Sequence, residues 1–249
     1  MAFTKNQAKL IKSLHDKKHR NELGLFLVEG EKNVLELFNS DWNIDYLLCT
    51  ADFFDKNRNL IKDKNVGYDV VEHSEIEKVG TLESNDSVLA IVKQKENNKF
   101  EVDKNEILIA LDEIKDPGNL GTIIRIADWY GITKIIASEN TVDFYNPKVI
   151  SATKGSFLRI NISYANLAET LPKIGLPIFG TFMSGENVHT FNFPKSGILL
   201  MGNESNGISK DLENIVTQKI TIPSFGKAES LNVAIATSVI LDNWKRSTK

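Results

Sequence analysis

A chain of 249 residues, 41% hydrophobic and 25% charged, has room for one large or two ordinary domains and the balance of a soluble globular protein, which excludes a disordered or fibrous polymer. Thirty basic against 33 acidic residues leave −3, so bulk charge announces no polyanion partner. The single cysteine, Cys49, excludes an intrachain disulfide and a cysteine-built metal site, and the four histidines show no ligand spacing, so no metal is expected.

From the N-terminus, Thr4 followed by Gln7 predicts a capped helix. Residues 1–20 hold five lysines and Arg20 against Asp16 alone, a local +5 that can contact phosphates or simply face solvent. The first residues lack the apolar stretch of an export signal, and no apolar run approaches the ~20 residues of a membrane-spanning helix. A cytoplasmic protein without a membrane partner is therefore expected. Strands are expected at 25–28, 44–49, 67–71 and 87–92, with Cys49 as a small core residue. Glu29-Gly30-Glu31 opens a helix after the first strand, its acids suiting the positive end of the helix dipole. Residues 93–106, KQKENNKFEVDKNE, are too polar to be core and mark the joint. This divides the chain into a domain over 1–92, a linker over 93–106 and a domain over 107–249. In the second domain, strands are expected at 107–112, 134–137, 157–162, 178–181, 198–201 and 219–222. Such alternation of strands and helices predicts an α/β architecture with mostly parallel sheets.

Three stretches of the second domain carry polar residues at strand ends, where a parallel sheet presents its functional groups. The first, residues 111–131, sets Asp116-Pro-Gly-Asn119 at the start of a helix and Arg125 six residues after Asn119. The second, residues 200–209, places Glu204 between Gly202 and Gly207. The third, residues 222–244, joins Pro223 and Gly226 to Ser230-Leu231-Asn232 and an apolar helix over 231–244. Read singly, Asn119 is a helix cap, Arg125 an ion-pair partner and Glu204 a solvent-facing side chain. No Gly-x-Gly-x-x-Gly, phosphate-binding Gly-x4-Gly-Lys-Ser/Thr or Gly-x-Ser-x-Gly motif is present, which argues against classical dinucleotide, nucleoside-triphosphate and hydrolase chemistry.

Together and in this order the three stretches resemble the signature motifs of the SpoU/TrmH branch of the SPOUT superfamily. These enzymes move methyl groups from S-adenosylmethionine to ribose 2′-hydroxyls of RNA. The basic N-terminal helix followed by FLVEGEKNVLELF resembles the small RNA substrate-binding domain, itself like certain ribosomal proteins, that often precedes such catalytic domains. The resemblance implies a trefoil-knotted α/β domain behind a small α/β RNA-binding domain, S-adenosylmethionine as cofactor, and a homodimer whose subunits complete each other's sites. It implies an RNA partner, ribosomal RNA ahead of transfer RNA, with a non-catalytic RNA-binding assembly factor as the alternative. It assigns Arg125, Asn119, Glu204, Ser230 and Asn232 to catalysis. Gly202, Ile222 and Leu231 are assigned to the cofactor by register, and Thr181, at a strand end, joins them. The chain departs from the family pattern at Ser205, where glycine is common, and at Ser224 and Ala234.

Overall fold

Apolar runs in this chain become ten β-strands among the described residues, 3–82, 87–95 and 101–248 of the computed structural model. In chain order the first part holds α1 (Lys5–Ser13), α2 (Lys17–Leu23), β1 (Leu25–Glu29), α3 (Glu31–Phe38), β2 (Ile44–Cys49), α4 (Ala51–Asp63), β3 (Gly67–Val70), α5 (His73–Val79) and β4 (Val88–Lys93). There follow β5 (Ile107–Leu111), α6 (Pro117–Trp129), β6 (Lys134–Ala137), α7 (Pro147–Thr153), β7 (Asn161–Tyr164), α8 (Leu167–Ile174), β8 (Ile178–Asn187), β9 (Gly197–Met201), α9 (Lys210–Glu213), β10 (Gln218–Thr221) and α10 (Val233–Ser247). They gather into two compact units, Met1–Glu96 with Asp143–Leu158, and Asn97–Val142 with Arg159–Lys249. Of the expected linker, residues 96–100 lie outside the described residues.

The first unit has a four-stranded sheet in the order β1-β4-β2-β3, antiparallel on both sides of β4 and parallel between β2 and β3. One face carries Leu27, Leu48, Leu89 and Ile91 against Ile11, Leu14, Ile76 and Val79 of the flanking helices. Cys49 is fully buried, and burial pushes its thiol up to about 12. An aromatic cluster joins Phe26 and Trp42 to Tyr145 and Phe157 of the later segment, with ring centroids 4.7 to 6.4 Å apart. Arg20 clips the two segments together. It is 1% exposed, bonds Asp143 through Nη2 at 2.6 Å, and donates through Nη1 to the Leu14 and His15 carbonyls at 3.0 and 2.8 Å. Of the basic N-terminal run, this one residue is therefore withdrawn from the surface.

The second unit is built on a six-stranded sheet, β10-β8-β9-β5-β6-β7, in which every neighbouring pair is parallel. Its central strands β5 and β9 are buried along their whole length, as a sheet covered on both faces requires. The chain leaves β5 toward β6 and β7, then returns to lay β8, β9 and β10 on the other side. Loops after β5 and β9 therefore diverge between two adjacent strands, the switch point where open α/β sheets bind ligands. Helices α6 and α10 lie side by side. Among the described residues no helix is long and apolar enough to cross a membrane, and no group of three His, Cys, Asp or Glu could hold a metal ion.

Two expected strands differ from the structure. The run 157–162 begins as a short 3-10 turn, Ser156–Leu158, and becomes strand only at Asn161. Lys154 and Gly155 just before it take left-handed backbone, which breaks an extended run, and Phe157 is drawn into the aromatic cluster. The strand expected at 178–181 continues to Asn187, because a register shift lets Glu186 and Asn187 pair with Ile220 and Thr221. Residues 184–187, SGEN, are polar, so the far end of the extension leaves no apolar trace.

Candidate active site

The loop after β5 ends at Asp116, whose carboxylate accepts the Asn119 backbone N–H at 2.7 Å and so caps α6; Pro117 occupies the first helical turn. This sets the Asn119 side chain at the carboxyl end of the sheet. Its Nδ2 donates to Glu204 Oε1 at 2.8 Å, and its Oδ1 accepts from Asn232 Nδ2 at 2.8 Å. Asn232 is itself the cap of α10, accepting the Ala234 N–H at 2.9 Å. One amide thus ties together residues 85 and 113 positions away in sequence. Three of the sequence-predicted residues, one from each stretch, are joined directly.

Glu204 reaches Asn119 because its loop is closed on itself and anchored at both ends. Asn203 and Gly207 exchange two backbone hydrogen bonds of 2.9 Å. A side chain at Gly202 would fall on the Gly207 carbonyl carbon and the Ile208 nitrogen, so this turn needs glycine. The Asn203 side chain accepts the Ser205 and Asn206 N–H groups at 2.9 and 3.1 Å and donates to the Glu113 carbonyl at 2.8 Å. Asp112, 4% exposed, accepts the Ser209 N–H at 2.8 Å. Ser205 takes no left-handed backbone, so serine is accommodated there without strain. Glu113 does lie at φ 54; its carboxyl is held below the usual carboxylate range by a hydrogen bond from Asn140 and by the Lys115 ammonium. Asp112 and Asn203 were not among the residues the sequence pointed to.

Among the described residues, the remaining predicted ones make no hydrogen bond to this chain. Arg125 lies about 9 Å further along α6 and roughly 120° around it from Asn119, as six helical residues dictate. It is exposed and has no hydrogen-bond or ion-pair partner among the described residues. It shares an outward stripe with Gly118, Thr122 and Trp129, the last 85% exposed. Ser230 and Leu231 stand exposed just before α10, and Ile222, just past β10, is partly buried. Thr181 donates to the Leu200 carbonyl at 3.3 Å, which ties β8 to β9 near the same sheet edge.

The chain that carries this closed loop and the Asn232–Asn119–Glu204 chain across it is similar to known proteins in sequence and in structure. Residues 106–242 match the SpoU rRNA Methylase family, and residues 5–90 match the MRM3-like substrate binding domain. The chain is 30% identical over 236 residues to the 23S rRNA (guanosine(2553)-2′-O)-methyltransferase RlmP of Bacillus subtilis (strain 168), covering 92% of each. It is 28% identical over 248 residues to the 23S rRNA (uridine(2479)-2′-O)-methyltransferase of Streptomyces viridochromogenes, covering 92% of this chain and 85% of that one. The crystal structure of an AdoMet-bound rRNA methyltransferase from Sinorhizobium meliloti superposes with a TM-score of 0.87 at 30% identity, covering 99% of this chain and 97% of that one. With more than half its length inside the catalytic family and its full length matched in fold, the chain belongs to the SpoU rRNA Methylase family.

Proposed function

We propose that this protein transfers a methyl group from S-adenosylmethionine to a ribose 2′-hydroxyl of RNA, with ribosomal RNA as the substrate class. The observation that carries the reading is the Asn232–Asn119–Glu204 chain at the sheet's switch point. The relatives named above, which act on 23S rRNA and are matched over 92% of this chain, support it. They act at a guanosine and at a uridine, so family membership alone does not select the base.

The residues present suit an adenosyl group. The backbone of the closed Gly202–Gly207 turn would take its polar edge, and the partly buried Ile222 and exposed Leu231 would supply apolar surface. When bound, S-adenosylmethionine supplies a methyl group on a sulfonium centre. The chain's own task is to align a weakly acidic hydroxyl, and alignment alone can contribute about 7–11 kcal/mol. A guanidinium offers hydrogen-bond donors and no acceptor, so the role of Arg125 is to stabilise negative charge growing on the ribose oxygen, not to remove a proton. Asn119 and Glu204 hold the cofactor loop against α6, while Ser230 and Asn232 position the ribose from the turn that opens α10. Because Arg125 has no partner among the described residues, its guanidinium is available to substrate.

The same reading includes a homodimer, a knotted passage of the C-terminal segment and a cytoplasmic location. Support for the dimer comes from Trp129, Leu231 and Ile235, which put large apolar surface outward on or beside the paired helices α6 and α10. A second copy on that face would enclose Arg125, which shares the Trp129 stripe.

The test is transfer of labelled methyl from S-adenosylmethionine to RNA from cells lacking this gene, with Arg125→Ala alongside. Label is expected on ribose, and Arg125→Ala is expected to lose about 10²-fold or more of kcat while still binding cofactor. Turnover within a few-fold of wild type would remove Arg125 from the mechanism. Label on a base would remove the ribose reading.

A further inference from the structure

Residues 1–20 carry a surplus of +5 on a chain whose total is −3, so the other 229 residues together carry −8. The structure divides that surplus. Arg20 turns inward and is neutralised by Asp143. Lys5, Lys9 and Lys12 on α1, and Lys17 and Lys18 at the start of α2, all remain exposed. Spacings of four and three residues put Lys5, Lys9 and Lys12 on one helix face, over about 10 Å. That face cannot rotate away. Ile11 and Leu14 are fully buried on the opposite side, Gln7 donates to Tyr46 OH at 2.9 Å and Asp69 Oδ2 at 3.1 Å, and a His15 ring nitrogen bonds the Val79 carbonyl at 2.8 Å. Lys18 has Glu22 at 3.9 Å, but Lys5, Lys9, Lys12 and Lys17 have no acidic partner among the described residues. A rigid row of like charges adds self-repulsion and stabilises nothing in the fold; its use is toward an anion.

We infer that the lysine face of α1 and the start of α2 is the surface by which this chain holds the phosphate backbone of its RNA. This rests on the RNA-methylation reading and adds where on the chain the substrate is gripped. Lysine ammonium groups are mobile point charges without the planar fork that reads base edges. The contacts therefore supply affinity and register but no sequence choice, which falls to other residues. The single arginine of the run, the residue type suited to base reading, is the one withdrawn into the core.

The test uses the full chain and three triple variants. Lys5→Gln/Lys9→Gln/Lys12→Gln removes the row, the corresponding Lys→Arg triple keeps its charge, and Lys56→Gln/Lys62→Gln/Lys64→Gln removes three exposed lysines elsewhere in the same unit. Binding of labelled ribosomal RNA is followed against potassium chloride, with methyl transfer measured in parallel. Each lost phosphate contact lowers the salt slope by about 0.7–0.9, so the first triple is expected to lose about 2 to 3 units of slope and at least about ten-fold in affinity. KM for RNA should rise to match, with kcat at saturating RNA and cofactor affinity unchanged, and the Arg triple should behave as wild type. Wild-type slope and KM in the first Gln triple, or an equal loss in the control triple, would overturn the inference. If wild type methylates RNA while the first Gln triple matches it, this inference alone fails. If wild type neither binds nor methylates ribosomal RNA, both readings fail.

Discussion

Asn119 uses both ends of its amide, donating to Glu204 and accepting from Asn232, and no residue of similar size but different chemistry can do both. Asn119→Asp keeps the acceptor for Asn232 and replaces the donor by an oxygen 2.8 Å from the Glu204 carboxylate. Two carboxylates that close cannot both be ionised, so one is pushed toward protonation. At neutral pH the variant has lost its link to the cofactor loop, a cost of about 1–3 kcal/mol, or about thirty-fold in rate at its middle. As pH falls, the shared proton restores a donor. The pH profile of kcat for Asn119→Asp should therefore rise toward acid relative to wild type; profiles of the same shape would show that Asn119 does not act through Glu204. Asn119, Glu204 and Asn232 are legible in the sequence because the three stretches together resemble one family's motifs; read singly, each passes for a cap or a solvent-facing side chain. Asp112 and Asn203 are not. An Asp ending a strand and an Asn beside a glycine look like ordinary turn residues, and only the adjacency of β5 and β9 gives them partners.

At the level of elements, the loop from Gly202 to Ser209 is a closed clasp whose shape depends on one missing side chain. Gly202→Ala forces a methyl group into the Gly207–Ile208 backbone, which cannot retreat without breaking the Asn203–Gly207 bonds. The expected cost is about 1–3 kcal/mol of stability, with weakened binding of S-adenosylmethionine as Glu204 loses its place. Gly226→Ala, in the next predicted motif, meets no atom within 4 Å and should be nearly silent in both respects. Thermal melts and cofactor titrations of the two variants check this, and equal behaviour would mean the clasp is not rigid. Motif glycines look alike in sequence, so which one is indispensable follows only from the approach of a distant backbone segment. The same limit explains the strand ends. The apolar runs located all ten strands, but the turn at 156–158 is set by left-handed residues before it, and the tail of β8 by pairing with β10.

At the scale of the whole molecule, the first unit is built from two pieces of chain separated in sequence by residues 97–142. Composition marks the charged joint near 93–106, yet nothing in it marks the return of residues 143–158. Phe144, Val149, Ile150 and Phe157 are apolar residues that any core could bury. What selects the first unit is a charge. Arg20 cannot stay buried without Asp143, whose Oδ2 takes both Nε at 3.2 Å and Nη2 at 2.6 Å. Removing only one partner strands an ion in a place water does not reach. Asp143→Ala should therefore destabilise the protein by about 3–5 kcal/mol in denaturant melts. Replacing both by apolar residues, Arg20→Met with Asp143→Leu, should return most of that loss, because the desolvation of two charges disappears with their attraction. A double variant as unstable as Asp143→Ala would mean that the carbonyl contacts of Arg20 to Leu14 and His15, not its ion pair, hold the segment in place.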